Sequence, residues 1–173
     1  MSQAQAVADR VQALEQRFAA IERERMAGLP FLHPGLRVQA IGVAPLAAEP
    51  AVLTGILLTP WFMNLVRLPL RPLDALAGLA SGWAGVGLRV SRRIGQQPLD
   101  MLGGVEPGLG VFESASLFSP MGEFVDQAAA VAAALEVLHQ LHRPTPAPTA
   151  PLPTPAAPSR RGFLMGRSAG VAR

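Results

Sequence analysis

The sequence predicts an α+β fold: an antiparallel sheet of about five strands packed with two long helices, one N-terminal and one after the last strand, followed by a disordered Pro-rich tail. Three observations carry this. Apolar stripes with helical spacing open and close the first 143 residues. Between them lie short runs rich in Val, Ile and Leu, broken by Pro and Gly, with no helix-length segment between them. That close spacing suits a meander rather than a parallel sheet. Finally, residues 144–158, PTPAPTAPLPTPAAP, hold seven prolines in fifteen positions. The chain therefore divides into a domain at 1–143, a Pro/Ala-rich linker at 144–158 and a short tail at 159–173.

The first helix covers residues 3–26. Val7, Val11, Leu14, Phe18 and Ile21 recur at alternating spacings of four and three, which makes one apolar stripe. Asp9, Arg10, Glu15, Arg17 and the run Glu22 to Arg25 lie off it, and Gly28 and Pro30 end the helix. Strands are expected at 37–44, 51–58 and 61–68, one or two helical turns at 72–80, weaker strands at 87–94 and 97–103, and a stronger one at 108–118. In the second long helix Ser119 is expected as the cap and Pro120 in the first turn. Glu123 and Asp126 fall near its positive end. Phe124, Ala128, Val131, Leu135 and Leu138 form its apolar stripe, and it ends near Arg143, before Pro144. The linker, extended at ~3.1 Å per residue, reaches on the order of 45 Å.

Composition narrows the function classes. The chain of 173 residues is half hydrophobic, enough for one domain with a core. It has no cysteine, which excludes a disulfide framework and thiolate chemistry and fits a reducing cytoplasm. The pI of about 11.2 reflects the lack of Lys, Tyr and Cys; the formal net charge is only +3, and the arginines are dispersed. Nothing here resembles a nucleic-acid stripe. The uncharged stretch 51–66 is short for a bilayer span and has Pro60 in its middle, so two buried strands joined by a turn explain it better than stable membrane insertion. A membrane-associated accessory protein using 51–68 is one rival reading. The first turns are charged and helical, unlike an export signal.

Catalytic chemistry finds little support. His139 and His142 stand three apart on a helix, with no third ligand in sequence, so no metal site and no cofactor is expected. His33 precedes Pro34 in a loop. Glu123 and Asp126 suit the helix dipole better than paired acid–base work. No nucleophile elbow, Walker A loop or complete dinucleotide fingerprint is present. An enzyme of unknown type, uniting His33 with Glu123 or Asp126, is the second rival.

Three segments have the character of recognition sites. Thr59-Pro60-Trp61-Phe62-Met63-Asn64 places large apolar side chains at a strand–turn junction, either core or protein-facing. Ser116-Leu117-Phe118-Ser119-Pro120-Met121 lies where the last strand meets the second helix. Arg160-Arg161-Gly162-Phe163-Leu164 looks like a twin-arginine export motif at the wrong end of the chain, without an apolar stretch after it.

Together with Arg25-Met26, Gly28-Leu29-Pro30, His33-Pro34, Glu123-Phe124 and Asp126-Gln127, these segments in this order resemble the HybE/HupJ family of [NiFe]-hydrogenase assembly chaperones. The resemblance covers nearly the whole chain apart from the linker, which is long for the family. Members often carry Cys just before SLFSPM, where this chain has Ala115, so a role needing a thiol there is not expected. The resemblance implies an α+β accessory protein in the cytoplasm that acts on immature hydrogenase subunits before cofactor insertion and export. Its expected partners are the small-subunit precursor, possibly the large subunit, and other maturation proteins. The expected partner-binding residues are Pro60, Trp61, Phe62, Met63, Asn64, Phe118, Pro120, Met121, Arg160, Arg161, Phe163 and Leu164. Pro60 to Asn64 are expected at the edge of the sheet, with some side chains packed inward and at least one facing a client. Arg160 and Arg161 would offer forked donors to a carboxylate, and Phe163 and Leu164 an apolar anchor.

Overall fold

The computed structural model describes residues 2–142; the linker and the tail, with Arg160, Arg161, Phe163 and Leu164, lie outside the described residues. Helix α1 (Gln3–Ile21) begins where the Ser2 hydroxyl accepts from Gln5 N at 3.2 Å. It runs on into a π-helical turn, Glu22–Met26. The strands are β1 (Gln39–Leu46), β2 (Glu49–Leu58), β3 (Met63–Pro69), β4 (Arg89–Ile94), β5 (Gln97–Glu106) and β6 (Gly110–Phe118), with the short helix α2 (Ala75–Ala80) before β4 and α3 (Gln127–His142) last. The sheet has six strands rather than five, because both of the weaker runs pair.

The strand order is β1-β2-β3-β6-β5-β4. Two three-stranded meanders thus join through the antiparallel pair β3–β6, so β2, β3 and β6 are interior. Helix α1 packs on one face, where Leu14, Phe18 and Ile21 meet Leu53, Leu57, Val66 and Leu68. Helix α3 lies on the other, where Ala130, Ala134 and Leu138 meet Ile56, Leu58, Leu65 and Ile41. Alternate residues of a strand point to opposite faces, so β2 and β3 are mostly apolar on both sides because both faces are covered.

Helix α3 differs from expectation in two ways. Its cap is Asp126, whose Oδ1 accepts from Ala129 N at 2.8 Å, not Ser119. Residues 119–126 form an irregular segment pegged to the core by Met121 and Phe124, and a carboxylate further along wins the capping role. The buried stripe is then Ala130, Ala134 and Leu138, while Leu135 is 53% exposed and Phe124 precedes the helix. Small residues let the helix approach closely. At Gly42 of β1 the backbone is left-handed (φ +61°), which favours glycine, and a Cβ there would press the Leu138 side chain aside.

Candidate functional site

The β2–β3 connection is the four-residue turn Thr59–Phe62, closed by the last pair Leu58↔Met63. Thr59 is fully buried, and its hydroxyl organises the turn. Oγ1 accepts from Phe62 N at 2.9 Å and Trp61 N at 3.3 Å and donates to Phe62 O at 3.0 Å. Thr59 N also donates to Phe62 O, at 2.8 Å. Such local side-chain bonding explains why a Thr followed by Pro turns the chain here.

Other segments gather around this turn. His33 N donates to Pro60 O at 2.9 Å. The His33 ring accepts from Gly35 N at Nδ1 (3.1 Å), which leaves Nε2–H to donate to Phe124 O (2.8 Å). Met63 pairs with Phe118 and Asn64 with Ser116, across a bulge. His33-Pro34, TPWFMN and SLFSPM, far apart in sequence, therefore meet at one end of the molecule. The sequence reading placed Pro60 to Asn64 at the edge of the sheet; because β2 and β3 are both interior strands, the turn instead caps the end of their hairpin.

The predicted residues separate by face. Trp61 and Phe62 are half-buried on the α1 face. The Phe62 ring stands edge-on to Trp61 (5.4 Å, 76°) and to Phe18 (5.9 Å, 76°), and Phe18 stands edge-on to Phe112 (6.0 Å, 81°). These rings, with Asn64 and Ser114, wall a cavity of about 240 Å³. Asn64 Oδ1 is buried without a hydrogen-bond partner. On the α3 face Phe118 is half-buried against Phe124, with ring centroids 5.1 Å apart. Met63 and Met121 are wholly buried, so they support the site from beneath and present nothing to a partner. Pro60 is buried and Pro120 exposed.

One acidic group marks the rim of the cavity. Glu106 accepts from Arg17 (2.8 and 3.0 Å) and from Arg25 (3.0 and 3.3 Å). Burial alone would raise its pKa, but the two guanidinium groups outweigh burial and hold the carboxyl below its usual range.

Residues 9–166 match the family described as "[NiFe]-hydrogenase assembly, chaperone, HybE". The chain belongs to that family. It is 42% identical over 165 residues to protein HoxT of Cupriavidus necator, an alignment covering 92% of this chain and 89% of HoxT. It is 34% identical to the hydrogenase expression/formation protein HupJ of Bradyrhizobium diazoefficiens, covering 86% of this chain and 83% of HupJ. The solution structure of HybE from Escherichia coli shares the fold, with a TM-score of 0.56 at 22% identity over 93% of this chain and 91% of that one. The turn and the cavity just described are how this HybE-family chain arranges the segments that carried the resemblance. Ala115 packs against the α3-face core opposite Leu65.

A second polar centre was not anticipated from sequence. Glu113 is fully buried, and it accepts from Arg67 Nη1 (3.0 Å), Arg92 Nε (2.9 Å) and Nη2 (2.6 Å), and Ala84 N (2.9 Å). Arg67 also donates to Glu49 at 2.7 Å and lies 4.7 Å from the centre of the Trp83 ring. Burial would raise the Glu113 pKa, yet the bonds from Arg92 and Ala84 N, with Arg67 nearby, lower it overall. Its signal in the sequence is a single charge inside each of two strands, at positions that prove to be cross-strand partners, Arg67↔Glu113. The centre holds the loop before β4 onto the sheet.

The residues on which the two rival readings rest have structural roles here. Residues 51–68 form the hairpin at the middle of the sheet, covered on both faces, and no helix among the described residues is long and apolar enough to cross a membrane. His33 spends both ring nitrogens on backbone groups and Asp126 caps α3. Among the described residues no three His, Cys, Asp or Glu side chains group as metal ligands.

Proposed function

We propose that this protein is a non-catalytic chaperone that binds immature [NiFe]-hydrogenase subunits in the cytoplasm, chiefly the small-subunit precursor, before cofactor completion and export. The observation that carries this reading is the aromatic cavity under the Thr59–Phe62 turn. It is lined by Trp61, Phe62 and Asn64 of the TPWFMN segment, with Trp61 and Phe62 half-buried. An apolar side chain of an unfinished subunit fills such a cavity and packs against the Trp61 and Phe62 rings. Buried aromatic anchors of this kind dominate binding energy at protein interfaces. Phe118 and Pro120 extend the contact across the end of the hairpin. The name of the HupJ relative, a hydrogenase expression/formation protein, supports a hydrogenase client.

In this reading the tail, with Arg160, Arg161, Phe163 and Leu164, imitates the client's export signal and competes for the same groove. Affinity capture from cells making the hydrogenase, with the full chain and with Trp61→Ala, tests the proposal. Recovery of a hydrogenase precursor by the wild type, and about tenfold less by the variant, the loss of one aromatic anchor, is expected. Capture of no hydrogenase subunit overturns it. Deleting 159–173 tests the tail separately: unchanged client binding and unchanged export remove it from the mechanism.

A further inference from the structure

Helix α2 and the loop after it form a second apolar surface, away from the Thr59–Phe62 turn. The helix packs at the start of β6, where a Cβ on Gly78 would stand 2.6 Å from Val111 Cγ1. The turn lies at the other end of that strand, beside Phe118. With Gly78 facing inward, Leu76, Leu79 and Ala80 recur at i, i+3 and i+4 on the outer side of α2. A Cβ at Gly85 would stand 3.4 Å from Leu79 Cδ2 and 3.2 Å from Leu88 Cδ1, so these two leucines are neighbours. Val86 lies between them in the same loop. Leu76, Leu79, Val86 and Leu88 are 80, 55, 65 and 63% exposed. The loop that presents them is held to the sheet: Gly87 N donates to Gly103 O and Gly103 N to Leu88 O, both at 2.9 Å, and Ala84 N donates to Glu113. Single exposed leucines are ordinary surface, but four large apolar side chains gathered on a fixed framework mark an interaction site.

Charge indicates what covers this surface. From Ala75 to Leu88 the chain has no charged side chain, so the patch does not repel its own copy. The charges that bound it are opposite in sign. Asp74 caps the first turn of α2, with Oδ1 accepting from Ala77 N at 2.8 Å. Arg89 follows Leu88, beside the last turn. Both are exposed, and among the described residues neither forms an ion pair. We propose that this face is a twofold interface between two copies of this chain. With the two α2 helices antiparallel, the leucines of one copy rest on those of the other, and each Asp74 meets the Arg89 of the other copy. The lateral edges of the sheet are poorer meeting points. Edge strand β4 carries Arg89, Arg92 and Arg93, and edge strand β1 carries Pro45 and a bulge, features that discourage strand-to-strand pairing. The leucine patch alone is smaller than the about 800 Å² that each partner gives a standard interface, so the dimer is reversible, with a Kd of about 1–100 µM. The Thr59–Phe62 turn stays open in both copies.

The test is sedimentation velocity of the full chain from about 1 µM to 1 mM. The wild type is expected to pass from the 18.2 kDa monomer to a species of twice that mass. Leu79→Glu is expected to stay monomeric throughout, with an unchanged circular dichroism spectrum and Tm because the side chain is exposed. Leu76→Glu, at the most exposed of the four positions, is the second variant and has the same expected result. Arg89→Glu sets like charges against each other at both ends of the interface and is expected to weaken the dimer about tenfold, less so at high salt. A wild type that remains monomeric at about 1 mM, or a dimer that both glutamate variants leave intact, overturns the proposal. So does a monomeric wild type whose capture of a hydrogenase precursor is lost in Leu79→Glu, since the patch would then belong to the client.

Discussion

Thr59→Val is the sharpest test of how the turn is held. Valine matches threonine in shape, so the fully buried site is not emptied, and the change removes only the hydroxyl. Phe62 O keeps its bond from Thr59 N. Phe62 N loses its 2.9 Å acceptor and Trp61 N its weaker 3.3 Å one. One buried donor left unsatisfied costs about 1–3 kcal/mol, so a loss of about 2 kcal/mol is expected. For a domain of this size each kcal/mol moves Tm by about 2–4 °C, giving a fall of roughly 4–8 °C. Urea denaturation followed by Trp fluorescence measures the loss directly, and Thr59→Ser, which keeps the oxygen, retains most of the stability. Client affinity should fall in parallel, because the turn sets where Trp61 and Phe62 point. A Val variant as stable as the wild type, with unchanged client binding, would refute the claim that this hydroxyl builds the site.

Glu113→Leu removes the acceptor shared by Arg67 and Arg92, leaving Arg67 with Glu49 and Arg92 with Gly82 O, and should cost about 2–4 kcal/mol by urea denaturation, while the triple change to Arg67→Met, Arg92→Met and Glu113→Leu recovers most of it. Acid should destabilise the fold. Glu106 and Glu113 have pKa values lowered in the folded state, so their contribution is present above the unfolded Glu value of about 4.3 and is lost as pH falls below it through the folded values. Thermal melts from pH 6 down to about 3 should show it, and Glu113→Leu should flatten the profile. Gly42→Ala forces a Cβ against Leu138 at a positive φ and should destabilise by about 1–3 kcal/mol, with α3 amides exchanging faster.

Much of the fold was legible because its core elements obey simple periodicities. The α1 stripe Leu14, Phe18 and Ile21 packs as spaced, and the Val/Ile/Leu runs are the strands. Helix α3 was harder. Ser119-Pro120 is a sound local start signal, but Met121 and Phe124 are drawn into the core as pegs, which keeps 119–126 out of the helix and passes the cap to Asp126. The α3 contact face is mostly alanine, and alanine gives little contrast in an Ala-rich segment. The site was legible as a set of segments and not as a geometry. Nothing local to TPWFMN says that β3 joins β6 in the middle of the sheet, so its end-of-hairpin position and the burial of Met63 required the long-range pairing. Arg10, Glu106 and Glu113 were missed for the same reason: each is polar in sequence and gains meaning only from partners on other elements, 21 residues or more away.

The most direct measurement of the central claim is site-specific photo-crosslinking in hydrogenase-producing cells, with a benzophenone side chain placed at Trp61 and, as a control, at Leu135. Leu135 is an exposed apolar position on the outer side of α3. Crosslinking of a hydrogenase subunit precursor at Trp61 but not at Leu135 is the predicted result. Equal crosslinking at both positions, or a precursor captured only at Leu135, would contradict the placement of the client at the Thr59–Phe62 turn.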